Sequence, residues 1–96
     1  MYRVWGGDSQ KVGAWLTPFR PIDATSARRE LALPPNNSAR YVSGVLIPAG
    51  TRVQIGIAGP AFGQPGGALQ VQLLERIPSS NFGPGEILPG GLLPPP

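Results

Sequence analysis

The sequence predicts a small α+β domain, mainly strands, in two short packed sheets with one or two helices and a cleft between the sheets. Three observations lead there. Short apolar runs at Tyr2–Trp5, Arg40–Ile47, Arg52–Ile57 and Leu69–Leu73 are rich in β-branched or alternating residues. One window, Ala24–Leu33, has helical spacing and a helix start signal. The 14 glycines and 13 prolines of the 96 residues cut the chain too often for long elements. A chain of this length makes one domain with a small core.

The elements follow in order. Tyr2–Trp5 reads as a strand, with Arg3 and Trp5 on one face and Tyr2 and Val4 on the other, broken by Gly6-Gly7. Asp8–Gly13 is a polar loop. Ala14–Thr17 is a second short strand stopped by Pro18, and Pro18–Pro21 is a stiff connector. Asp23 is the N-cap of a helix over Ala24–Leu33 that Pro34-Pro35 ends. Ala24, Ala27 and Leu31 give it an apolar face, with Arg28 and Arg29 mid-helix and Glu30 beside them.

Pro34–Ser38 is a turn. Arg40–Ile47 is the clearest strand, and apolar residues on both of its faces predict a central position. Pro48–Thr51 reads as a hairpin turn, and Arg52–Ile57 returns with Val53, Ile55 and Ile57 inward. Ala58–Glu75 begins as a Gly/Pro loop, which lets a ligand approach the main chain. It ends as a strand with Leu69, Val71 and Leu73 on one face and Gln70 and Gln72 on the other. The plain alternative is a turn feeding an edge strand with a solvated polar face. Pro78–Gly85 is turn-rich. Residues 1–86 are taken as the domain and 87–96 as a Pro/Gly-rich tail with little to pack.

Net charge is +3, with Lys11 the only lysine among eight cations. Arginine's planar fork suits bidentate binding of phosphate or carboxylate, although a mildly basic solvated surface explains the same balance. That balance is too small to argue for nucleic acid. The chain has no Cys and no His, so thiol chemistry, a Ser-His-Asp triad and a His-ligated zinc site have no side chains to use. The five acidic residues are scattered along the chain, which argues against a metal site, and none is assigned. No run reaches transmembrane length, and no basic-then-apolar leader opens the chain.

Phe62-Gly63-Gln64-Pro65-Gly66-Gly67, followed by Gln70, resembles the C-terminal signature of the tuberculosis necrotizing toxin family. Those are NAD-glycohydrolase domains of secreted bacterial toxins, with a fold similar to ADP-ribosyltransferases. Tyr2–Gly7 resembles the family's opening Arg-containing strand, and Ala14–Pro18 and Ala32–Pro34 resemble its middle. The resemblance implies an ADP-ribosyltransferase-like fold and hydrolysis of NAD(P)+ to nicotinamide and ADP-ribose (phosphate), with the dinucleotide as substrate and no cofactor. It implies a domain that is secreted or delivered into a target cell, acts in its cytoplasm, and is met by a cognate immunity protein near Gly66–Gln70.

Roles follow from the resemblance residue by residue. Arg3 sits where the family's phosphate-holding arginine should be; the plain reading is an edge-strand cation. Gln70, four residues after Gly66, matches the family's central glutamine and would bind the ribose hydroxyls or orient water. Gln72 shares its face. Phe62, Gly66 and Gly67 would wrap the ligand. Trp15 replaces the family's functional tyrosine, and is equally a core or lid tryptophan. Arg28 or Arg29 would supply a second arginine, or else belong to a solvated helix face. Ser43 would lie under the nicotinamide ribose, or be a serine merely tolerated in a strand.

The leaving nicotinamide departs neutral, so positioning and electrostatics can do much of the work without a strong acid. The alternatives are an ADP-ribosyltransferase toxin, a noncatalytic β-rich binding module, and a small basic RNase toxin. Transferases usually carry a glutamate two residues after the position of Gln70, where this chain has Gln72.

Overall fold

A computed structural model describes residues 1–90. It is mainly β, with two small antiparallel sheets and one helix, as the sequence predicts. Strands β1 (Tyr2–Gly7), β3 (Asn37–Gly44) and β6 (Glu86–Ile87) form one sheet in the order β1-β3-β6. Strands β2 (Trp15–Leu16), β5 (Leu69–Leu73) and β4 (Val53–Ile57) form the other in the order β2-β5-β4. Reciprocal main-chain bonds between Tyr2 and Thr17, at 2.8 and 2.9 Å, join the sheets at β1 and the end of β2.

Helix α1 (Ala24–Glu30) starts where the sequence places it: Asp23 accepts from the Ser26 amide at 2.7 Å. It ends sooner than Leu33, because Ala32 turns left-handed at φ 48° and the Leu33 amide closes back on the Arg28 carbonyl. Its buried face, Ala24 and Ala27, packs with Val4, Ala39, Val42 and Leu88. A second cluster, Leu16, Val45, Val71, Leu73 and Phe82, serves the other sheet. Strand β3 is central, as both its apolar faces imply, and Val42 and Ser43 are fully buried.

Three expectations change. The Pro48–Thr51 turn forms, with Thr51 Oγ1 donating to the Pro48 carbonyl at 2.7 Å, but it makes no hairpin. Both edges of β3 are taken by β1 and β6, so the chain crosses to the other sheet before β4 begins. Ile55 and Ile57 do not point inward: they are 63% and 61% exposed. They do sit on the same face as Val71 and Leu73, but at the sheet edge, where the second cluster no longer covers them.

The tail also begins later than residue 87. Glu86–Ile87 pairs with β3, Leu88 is fully buried beside the helix, and the Pro89 carbonyl accepts from the Ala24 amide at 2.9 Å. An apolar side chain that finds a slot between helix and sheet is fixed there despite its Pro/Gly neighbours. The rest of the tail, residues 91–96, lies outside the described residues. Among the described residues no helix is long and apolar enough to cross a membrane, and no group of three or more His, Cys, Asp or Glu is placed to hold a metal ion.

Candidate functional site

Arg3, Trp15, Phe62 and Gln70 come together on one groove of 380 Å³. The strands and the Gly/Pro loop supply them: Arg3 from β1, Trp15 from β2, Gln70 from β5, and Phe62 from the turn that follows β4. Arg3 and Gln70 also share a smaller cleft with Tyr2 and Thr17. The remaining wall is the connector after α1, at Leu31, Leu33 and Pro34. Alternation along β5 puts Gln70 on the face opposite Val71 and Leu73, whose burial against the core fixes the glutamine's direction.

The Arg3 guanidinium is held by its own loop. Its Nε and Nη2 donate to the Gln10 carbonyl at 3.3 and 2.9 Å, Nη2 also donates to Ser9 Oγ at 3.0 Å, and Nη1 donates to the Trp15 carbonyl at 3.2 Å. Gly13 lies against it so closely that a Cβ there would meet Nη2 at 2.5 Å. Of the five N–H donors of a guanidinium, this leaves one on Nη1 uncommitted. Burial pushes the Arg3 pKa below the usual arginine range, without threatening its charge near neutrality.

Among the described residues no carboxylate answers that charge. The acidic groups are engaged or elsewhere: Glu86 pairs with Arg20 and Glu75 with Arg52, each at 3.2 Å, and Asp23 caps the helix. None of the five lines the groove. Its polar wall is Arg3, Ser9, Asn37 and Gln70, and Asn37 is already spent on the Val4 carbonyl and the Ala39 amide. The groove is therefore apolar and aromatic with one cation, a setting for an anion carrying a flat ring.

Other residues singled out in the sequence stand apart from this groove. Ser43 is fully buried and accepts from Trp5 Nε1 at 3.0 Å, so it has no exposed surface to offer a ribose. The Gly66 and Gly67 amides are consumed by the Arg29 and Ala58 carbonyls, at 2.9 and 2.8 Å. They brace the loop instead of lining the groove. Arg28 is turned to the Ser38 carbonyl at 2.8 Å, and Arg29 lies on the exposed face of the helix. Gln72 has the parity of Gln70 but sits between Trp15 and Gln54 in the ladder, away from the groove lining.

Sequence reasoning gave Ser9 no role, and gave Leu31 and Ala32–Pro34 only as a helix face and a segment resembling the family's middle, not as a groove wall. Leu31 and Leu33 carried a signal, since apolar residues flanking a left-handed helix end must cover something. A separate cavity of 680 Å³ between Val12, Leu74, Ile77 and Phe82 shares no residue with the groove. It is the larger, but its carboxylate, Glu75, is already paired with Arg52.

No family model matches the chain, and neither curated proteins nor solved structures give a match.

Proposed function

We propose that the chain is an NAD(P)+ glycohydrolase domain of a bacterial toxin, with the groove between Arg3 and Gln70 as its substrate site and an ADP-ribosyltransferase-like arrangement of its sheets. One observation supports this above the others: a guanidinium with no carboxylate partner among the described residues and a strand carboxamide line the same groove with two aromatic side chains. The groups drawn together this way, Arg3, Gln70, Trp15 and Phe62, are four of the ten that the toxin-family resemblance implies. In this reading Arg3 contributes charge and its remaining Nη1 N–H to the pyrophosphate. Trp15 and Phe62 flank a ring. Gln70 hydrogen-bonds the ribose hydroxyls or the attacking water.

Water adds to the ribose carbon as the C–N bond to nicotinamide breaks. The bonding pair leaves with the ring nitrogen, which becomes neutral, and the proton of the attacking water passes to solvent. Such a step needs stabilisation of an oxocarbenium-like state more than it needs an acid. A groove without carboxylates is suited to hydrolysis over transfer to a protein side chain.

The test is incubation with NAD+ or NADP+ while following nicotinamide and ADP-ribose (phosphate). Free ADP-ribose product is expected, and its loss in Gln70→Ala with an unchanged thermal transition assigns the site. Label appearing on protein or nucleic acid would replace this reading with a transferase. An intact dinucleotide pool at high protein concentration would leave a binding module instead.

A further inference from the structure

Strand β4 is the edge of its sheet, and its free side is fully prepared for pairing. The Arg52 carbonyl accepts from the Leu74 amide and the Ala58 amide donates to the Ala68 carbonyl, so the even positions face β5. Peptide groups alternate sides along an antiparallel ladder. Val53, Ile55 and Ile57 therefore turn their N–H and C=O groups outward. Among the described residues no strand pairs with them.

The strand also lacks the devices that protect edges. Val53-Gln54-Ile55-Gly56-Ile57 contains no charge and no proline. Ile55 and Ile57 are largely exposed, and Leu69, opposite Ile57, extends the same apolar row. In a chain whose surface is otherwise broken by Gly and Pro turns, this is a continuous apolar strip along an open hydrogen-bonding edge.

We propose that two copies of the chain associate through β4, antiparallel about a two-fold axis at Ile55, joining the two three-stranded sheets into one. The sequence of the strand is what selects a second copy as the partner. With the axis at Ile55, Ile55 meets Ile55 and Val53 meets Ile57, so every outward peptide group of the strand finds a partner. The β-branched side chains of both copies then fall on one face. On the other face Gln54 lies opposite Gly56, whose missing side chain makes room for it. The neutral strand brings no like charges together, and the nearest cation, Arg52, is already paired with Glu75 of its own chain. A slip by one residue would set outward groups against inward ones and lose the pairing.

The experiment uses sedimentation over a concentration series together with single-cysteine variants, which are unambiguous because the chain has no cysteine. A concentration-dependent dimer is expected. Ile55→Cys should oxidise to a covalent dimer, because facing Cα atoms in such a pair are about 5.5 Å apart, within disulfide range. Val53→Cys, which faces Ile57, should not. Ile55→Lys should sediment as monomer with an unchanged circular dichroism spectrum. A monomer at the highest soluble concentration would overturn the proposal. So would a dimer that survives Ile55→Lys, or Val53→Cys crosslinking as readily as Ile55→Cys. Should Ile55→Lys fail to fold, the cysteine pair still decides.

Discussion

The amide of Gly66 donates to the carbonyl of Arg29 across 2.9 Å, and the amide of Ala68 does the same to Glu30. The loop before β5 thus supplies donors to carbonyls that the end of α1 leaves open. Gly66 adopts φ 72°, and a side chain there would collide with the Ala58 carbonyl.

Gly66→Ala is therefore expected to destabilise the fold, by on the order of 2–4 kcal/mol from backbone strain and the clash together. Gly63, also at positive φ but with open space around it, is the control; its alanine variant should lose only the backbone term, about 1 kcal/mol. Chemical denaturation of both distinguishes them, and equal losses would show that the close approach at Gly66 is not what matters.

Arg3 ties the Ser9–Gly13 loop to β1 through two acceptors, Ser9 Oγ and the Gln10 carbonyl, and reaches a third at the Trp15 carbonyl. Arg3→Lys keeps the charge but not the planar fork. Amide exchange in residues 9–13 should quicken and stability should fall by about 1–3 kcal/mol. Unchanged exchange in this loop would mean that the fork does not hold it.

Leu88 is fully buried, whereas Leu46 is 77% exposed. Leu88→Ala should cost about 2–5 kcal/mol, a large part of the stability of a domain this small. Leu46→Ala should stay within about 0.5 kcal/mol. Urea titrations of the two variants test the assignment of Leu88 to the core.

The bond from the Ser26 amide, then the Ser26 hydroxyl, and last the charge of Arg28 hold the Asp23 carboxyl below the usual carboxylate range. A depressed folded pKa means stability that is present above the unfolded value and lost as pH falls through the folded one. The melting temperature of the wild type should thus fall below about pH 4 more steeply than that of Asp23→Asn, which caps without titrating. Parallel pH profiles would show that the carboxylate is not the group responsible.

What was legible in the sequence was what is decided locally. Asp23 before an apolar-periodic window marks a helix start wherever it lies, and Tyr41 to Val45 carry apolar residues on both faces because β3 is flanked and covered. Alternation told which residues of β4 share a face, but not that nothing would cover Ile55 and Ile57. The turn at Pro48–Thr51 was local too; the partner of the strand after it was not, since that depends on β1 and β6 arriving first at β3.

The candidate site divides the same way. Arg3 and Gln70 are far apart in sequence, and only the family resemblance suggested a shared groove. Gly66 and Gly67 looked like ligand-facing glycines because composition cannot say where an amide points. Ser43 lay on the expected strand, directly opposite Arg3, yet the indole N–H of Trp5 had already claimed its hydroxyl.

The pairing of Tyr2 with Gly44 and of Trp15 with Gln72 has a kinetic consequence. Only β4 and β5 are joined locally, through residues 58–68; the β1–β3 and β2–β5 ladders that complete the sheets bring together segments far apart along the chain. Long loops must be closed, at an entropic cost, before either sheet is complete. Refolding should accordingly take milliseconds to seconds instead of the microseconds open to a helical bundle of equal length.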